Sequence, residues 1–162
     1  MEDIKNDLLD DLLMDESTQA LDILTDGENR YIKDFRLNMK SVMKPDAMTQ
    51  EEIILTGLAL AYNNHNKVLK DYFHSKAEEI ELESDKISDA IAAASLLSAN
   101  NVLYRFRHFM PHDDYKRKPA KMRMTIMARN TIGKELFELI SLAISAVNGC
   151  EACVASHEKS LR

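Results

Sequence analysis

Cysteine is scarce in this sequence, because the 162 residues contain only Cys150 and Cys153. Secreted domains that are held together by disulfides carry several cysteine pairs, so this count argues against that class. Any thiol chemistry in the chain is therefore confined to a single C-x-x-C motif.

Long apolar runs and an excess of basic residues are also missing. No apolar run reaches the roughly 18–20 residues of a membrane span, so we expect no membrane partner. The N-terminus is acidic and lacks the basic and apolar regions of a signal peptide, which makes the cytoplasm the expected compartment. The net charge of −6 argues against a nucleic-acid partner.

Glycine and proline are few, at four and three residues, which favours helices. Apolar residues recur at helical spacing in most segments, and none alternates with the period of a strand. Thr49 and Glu52 form a capping-box pattern, and a long Ala-rich helix is predicted to open at Ser84. Met122, Met124 and other methionines are interpreted as core filler. The sequence predicts an all-α bundle of about seven or eight helices.

Charge divides the chain into two predicted parts. Residues 1–26 hold nine acidic residues and a single base, Lys5. Leu8, Leu9, Leu12 and Leu13 predict a short amphipathic helix there. We predict an acidic N-terminal arm over residues 1–27, either frayed or packed loosely, with docking of a partner as the alternative. Residues 28–162 form the predicted helical domain.

A faint internal repeat relates two apolar helices at an offset of 84 residues. The stretch from Leu58 to Asn64 aligns with that from Leu142 to Asn148, and each ends at asparagine before another helix. At this offset, Asn66 corresponds to Cys150. The pattern indicates two related halves, of which only the second carries cysteines, although two Ala/Leu-rich helices can also match by chance.

The candidate site consists of Glu138, Cys150, Cys153 and His157. Asn148-Gly149 is a strong helix stop, so a new helix is predicted to begin at about Cys150, where free N–H groups favour a thiolate. The spacing of the cysteines places both sulfurs on one face, close enough to join. His157 follows Cys153 by four residues and can take its proton, and Glu138 can reach His157 directly or through water.

Three interpretations of the motif remain open. The spacing favours a redox dithiol, in which one cysteine attacks and the other resolves. A zinc site with two Cys, His157 and Glu138 is disfavoured, since structural zinc sites usually have four Cys or His ligands. The third is a purely structural pair of half-buried cysteines.

The motif E-x11-C-x-x-C-x-x-x-H, met by these four residues, resembles that of the AhpD-type alkylhydroperoxidases of the carboxymuconolactone decarboxylase-like superfamily. NNVLYRFRH (Asn100 to His108), MRMTIMARN (Met122 to Asn130) and the AVNGC before the dithiol are also similar to that family. The likeness runs from about Tyr31 to Arg162.

The resemblance implies a helical fold with two related halves, a homotrimer and a cytoplasmic antioxidant peroxidase. It implies no bound cofactor or metal, but a redox-active Cys150–Cys153 disulfide with lipoamide as external reductant. Electrons would come from a lipoylated acyltransferase and pass to a peroxide or a peroxiredoxin. Cys153 would attack the peroxide and Cys150 would resolve, with His157 and Glu138 as proton relay. The alternatives are a non-redox decarboxylase-like enzyme and a structural or zinc-binding oligomeric protein.

This chain departs from the family pattern at two places. Family members often carry a histidine directly before the second cysteine, where this chain has Ala152 preceded by Glu151. The family domain also continues further past the final histidine than Arg162. Both departures lead us to expect slower turnover or a differently packed site.

The basic stretch within NNVLYRFRH has two interpretations. Arg105, Arg107 and His108 either form a basic rim for an anionic carrier, or cap and tie neighbouring helices. The second interpretation is favoured.

Overall fold

The computed structural model describes the whole chain, Met1–Arg162, and contains helices but no strands. Nine α-helices follow one another along the chain: α1 (Glu2–Asp11), α2 (Gln19–Asp26), α3 (Tyr31–Val42), α4 (Gln50–Asn63), α5 (Lys67–Glu79), α6 (Ser84–Phe109), α7 (Asp114–Arg117), α8 (Lys134–Val147) and α9 (Glu151–Leu161). A 3-10 turn covers Thr125–Met127. The all-α prediction is confirmed, and the short α7 is one reason that the count exceeds the expected seven or eight.

The contacts divide the chain into two compact units, Met1–Ile53 and Ile54–Arg162. In the first unit, α1, α2 and α3 pack against one another, with Leu8 of α1 buried. The predicted N-terminal helix is therefore present and packed. The predicted division of the chain at residue 27 stays a prediction.

Ion pairs tie α1 to α3 within the first unit. Arg36 bonds to Asp7 and Asp11, and Lys40 adds a second cation beside Asp11. Burial alone would raise the pKa of Asp11, but the hydrogen bonds from Arg36 and Lys40 outweigh it and hold the pKa below its ordinary value.

The predicted capping box at the start of α4 is also present. The Thr49 hydroxyl accepts from the Glu52 N–H, while the Glu52 carboxylate accepts from the Thr49 N–H.

The core of the second unit is built from α4, α6 and α8. Alanines of α6 pack against Leu55 of α4 and against Phe137, Ile140 and Ile144 of α8, all of them buried. The small alanine side chains on α6 let the neighbouring helices approach closely. The helix runs unbroken through Asn100, because the asparagine amides there bond to side chains of other elements instead of disrupting the helix.

The internal repeat is confirmed at the level of helix boundaries. Helix α4 spans residues 50–63 and α8 spans 134–147, while α5 begins at 67 and α9 at 151, so each pair differs by 84. The N-cap of α5 and the N-cap of α9 each follow a residue in the left-handed conformation. These residues are His65, with φ 53°, and Gly149, with φ 66°. The two halves therefore share a helical hairpin and its turn geometry.

The first hairpin packs so closely at Gly57 that a side chain there is expected to destabilise it. A Cβ atom at Gly57 would lie 2.1 Å from the ring of the buried Phe73. We expect Gly57→Ala to lower the free energy of unfolding by about 1–3 kcal/mol, as overpacking does. Urea denaturation measures the change. In a Phe73→Leu background the cost should shrink, and an equal cost in both backgrounds would show that the ring is not responsible.

None of the nine helices combines the length and the apolar character that a membrane crossing requires.

Candidate functional site

The turn between α8 and α9 places both cysteines at the start of a helix. The Gly149 N–H donates to the Ala146 carbonyl and the Cys150 N–H to the Ser145 carbonyl, which is the Schellman pattern of a helix end. Gly149 takes the left-handed conformation that this pattern needs. Cys150 is then the N-cap of α9 and Cys153 lies in its first turn, as the sequence predicted.

The two cysteines are joined in a disulfide, with their Cα atoms 5.3 Å apart. The side chains are well shielded, since Cys150 is 1% and Cys153 7% exposed. In the first half of the repeat the corresponding positions are Asn66, whose side chain caps α5 by accepting from the Leu69 N–H, and Leu69 itself. The second half thus has a sulfur pair where the first half has an ordinary helix cap.

His157 and Glu138 are in direct contact across the α8–α9 hairpin. The distance from His157 Nδ1 to Glu138 Oε2 is 2.7 Å, and both side chains are buried. The sequence allowed either this contact or one through water, and the structure has the direct one. In the arrangement where Glu138 accepts this bond, the proton lies on Nδ1 and Nε2 is the ring nitrogen that can exchange a proton.

A cleft of about 360 Å³ opens beside one sulfur. Cys153 and His157 line it together with residues of α6, α9 and the 3-10 turn: Leu97, Asn100, Tyr104, Met124, Met127, Ala152 and Ser156. Cys150 does not line this cleft; it lies in a separate open depression with Val154 and Glu158. The two cysteines therefore line different depressions of the surface.

A network of amides holds the turn that carries Cys150. Asn148 Nδ2 donates to the side-chain oxygens of Asn101 and Asn63, and Asn63 Nδ2 donates back to Asn148 at 2.9 Å. Asn101, which is fully buried, donates in turn to the Ser145 hydroxyl. This network joins α4, α6 and α8 at Asn148, the C-cap of α8.

The basic residues of NNVLYRFRH serve mainly to tie the backbone. Arg105 donates to the Asn148 carbonyl and Arg107 to the Lys118 carbonyl. His108 lies on the surface, with Nε2 3.7 Å from the carboxylate of Glu151. The arrangement favours the helix-tying interpretation over a basic rim.

Sequence reasoning missed the residues that form the cleft. Met124 and Met127, which the sequence predicts as core filler, both line the cleft with Cys153. Asn100 and Tyr104 enter the sequence prediction only through their place in the family-like stretch. An asparagine inside an Ala-rich helix was an available signal, because it is a poor helix former unless its amide has other partners.

No group of three or more His, Cys, Asp or Glu side chains is arranged to hold a metal ion. The sulfurs are bonded to each other, and His157 Nδ1 is engaged by Glu138.

Comparisons with known proteins agree on one family. The profile described as the Carboxymuconolactone decarboxylase family matches residues 113–162. A protein named alkyl hydroperoxide reductase AhpD from Coxiella burnetii (strain Dugway 5J108-111) is 39% identical over 134 residues, covering 81% of this chain and 75% of its own length. The proteins of that name from Anaeromyxobacter dehalogenans (strain 2CP-1) and Solibacter usitatus are 38% and 37% identical over 142 residues each. The match to the Anaeromyxobacter protein covers 86% of this chain and 75% of that protein. The match to the Solibacter protein covers 88% of this chain and 80% of that protein.

Proposed function

Because this chain belongs to the AhpD-type proteins of the carboxymuconolactone decarboxylase-like superfamily, we propose that it reduces alkyl hydroperoxides through a reversible Cys150–Cys153 dithiol. Its relatives are named alkyl hydroperoxide reductases, which supports an oxidoreductase linked to peroxide reduction. One observation carries the assignment to these residues: the disulfide joins two cysteines, of which Cys153 shares a cleft with the buried pair His157 and Glu138.

In the proposed reaction, the reduced Cys153 is the attacking thiol. His157 takes the thiol proton at Nε2, while Glu138 holds the ring through Nδ1. The Cys153 thiolate attacks the terminal peroxide oxygen and becomes a sulfenic acid, and the alkoxide leaves with the proton from His157. The Cys150 thiol then displaces water and restores the disulfide.

Cys150 is the proposed contact point for the electron donor. It lines the depression formed also by Gly149, Glu151, Val154, Ala155 and Glu158, outside the peroxide cleft, and its 1% exposure means that the turn must open slightly before a donor thiol reaches the sulfur. A dihydrolipoyl group on an acyltransferase is the donor that the family resemblance suggests, and a peroxiredoxin is the suggested acceptor partner. An approach from the depression would reduce the disulfide without displacing peroxide from the cleft.

We also propose that the protein assembles as a homotrimer, as the resemblance suggests. Val102, Phe106 and Phe109 lie at spacings of four and three residues on α6, so they share a face, and all three are exposed. Exposed apolar residues grouped in this way are typical of surfaces that associate. The cytoplasmic location likewise stays a prediction.

The stoichiometry of thiol loss tests the proposed function. After reduction and removal of the reductant, we expect tert-butyl hydroperoxide to remove both thiols of each chain, because sulfenic acid formation is followed by disulfide closure. Titration of thiols under denaturing conditions measures the loss, and dithiothreitol should restore both. Retention of both thiols, or an oxidation that dithiothreitol does not reverse, would contradict the proposal.

A further inference from the structure

Asn100 is a buried polar residue within the cleft. It lies on α6, is 5% exposed, and lines the cleft with Cys153 and His157. Leu97 and Tyr104 lie three residues before it and four after it, so the three residues share one face of the helix. The side chain thus lines the same cleft as Cys153, the proposed attacking residue.

Only one end of the Asn100 amide is satisfied by the protein. Its Nδ2 donates to Met124 Sδ at 3.2 Å, whereas no protein group bonds to its Oδ1. The next residue, Asn101, has both ends paired: Nδ2 donates to Ser145 and Oδ1 accepts from Asn148. Buried acceptors almost always have a partner, so the unpaired Oδ1 of this cleft-lining residue indicates a ligand that donates a hydrogen bond.

We propose that Asn100 Oδ1 binds the substrate by accepting a hydrogen bond from the O–H group of the hydroperoxide. The proposal rests on the proposed function and extends it to the choice of substrate. Met124 fixes the amide orientation, since its sulfur accepts but does not donate and therefore pairs with the Nδ2 end. The O–H group is what distinguishes a hydroperoxide from a dialkyl peroxide, so the contact selects the former.

The hydrogen bond orients the oxygen that reacts. An electron pair of the Cys153 thiolate forms the new S–O bond to the terminal oxygen, which keeps its hydrogen, and the O–O bond breaks. Sulfur is oxidised by two electrons and the peroxide is reduced, while the alkoxide takes the proton held by His157. The O–H bond is intact throughout. Asn100 can therefore keep its hydrogen bond to that oxygen both in the bound peroxide and in the sulfenic acid.

The rest of the cleft suits a small apolar substituent. Leu97, Ala152 and Met127 supply apolar surface, and about 360 Å³ lies near the lower end of the range for ligand sites. The substrate class is therefore a compact alkyl or aryl hydroperoxide, and tert-butyl hydroperoxide is a suitable probe.

The test compares two reactions of Cys153 in a Cys150→Ser background, where the sulfenic acid cannot close to a disulfide. One reagent is tert-butyl hydroperoxide, and the other is methyl methanethiosulfonate, which reacts with the thiolate but has no hydrogen-bond donor. Asn100→Leu keeps the size of the side chain and removes the acceptor. We expect it to slow the peroxide reaction roughly 10- to 100-fold and to change the thiosulfonate reaction less than about twofold.

The outcomes separate this proposal from the proposed function. Equal slowing of both reactions would mean that Asn100 only shapes the site, and an unchanged peroxide rate would mean that it does not bind the peroxide; either would overturn the proposal. A parent protein that reacts with the thiosulfonate but not with peroxide would overturn the proposed function as well. Asn38→Leu, at an exposed position of α3, is the matched control and should leave both rates unchanged.

Discussion

Cys153→Ser is expected to abolish peroxide reduction, lowering kcat/KM by roughly a thousandfold or more, because it removes the nucleophile. Cys153 is the sulfur that lines the cleft with His157, whereas Cys150 lies in the separate depression. The remaining cysteine, Cys150, does not line the cleft that His157 lines. Consumption of tert-butyl hydroperoxide with dihydrolipoamide as reductant measures the loss.

Cys150→Ser is the matched variant that distinguishes the two sulfurs. It keeps the attacking thiol, so one peroxide should react rapidly to leave a sulfenic acid on Cys153 that dimedone traps. Steady turnover should fall because no resolving thiol remains. If Cys153→Ser gave the rapid first reaction and Cys150→Ser did not, the roles of the two cysteines would be reversed. Parent-like turnover in Cys153→Ser would reject the dithiol mechanism.

Glu138→Gln is expected to lower kcat/KM for peroxide by about 10- to 100-fold, the size of effect seen when the partner of a functional histidine is removed. Glu138 accepts a hydrogen bond from His157 Nδ1, with the two atoms 2.7 Å apart, and so leaves Nε2 free to take the thiol proton. A glutamine amide has the same shape but can donate to Nδ1, which favours the tautomer with its proton on Nε2. His157 would then be unable to act as base.

Two readouts show whether the effect comes from the proton relay. The alkylation of reduced Cys153 at neutral pH should slow together with the peroxide reaction, because both need the thiolate. Asn100→Leu, in contrast, should slow the peroxide reaction alone. Glu135→Gln, an exposed change one turn earlier on α8, is the control and should leave both rates unchanged. A Glu138→Gln protein with parent-like alkylation and turnover would exclude the carboxylate from the relay.

The repeat shows why one half of the fold can carry chemistry and the other cannot. Phe73 stands at the offset of His157, and Ile54 stands at that of Glu138. In the first half these positions are apolar and buried, so the hairpin is held by packing. In the second half the same positions hold a buried hydrogen-bonded pair next to a disulfide. A shared backbone therefore supports two different side-chain sets.

Helix content and the candidate cluster could be predicted from the sequence because both depend on local spacing. The i, i+3 relation of Cys150 and Cys153, and the i+4 relation of His157, hold in any α-helix that begins at Cys150. The stop at Gly149 depends on the preference of one residue for a left-handed conformation. Short-range geometry of this kind fixes which side chains share a face.

Tertiary structure alone decided the surroundings of the cluster. The cleft requires α6, α9 and the 3-10 turn to meet, and the bond from Asn100 to Met124 joins residues 24 apart. The amide network from Asn63 to Asn148 spans 85 positions. No periodicity encodes such contacts, because they depend on how helices pack around the core formed by α4, α6 and α8. The sequence determined which residues form the candidate cluster; packing determined that Cys153 lines the cleft, that Cys150 does not, and that Asn100 has an unpaired acceptor.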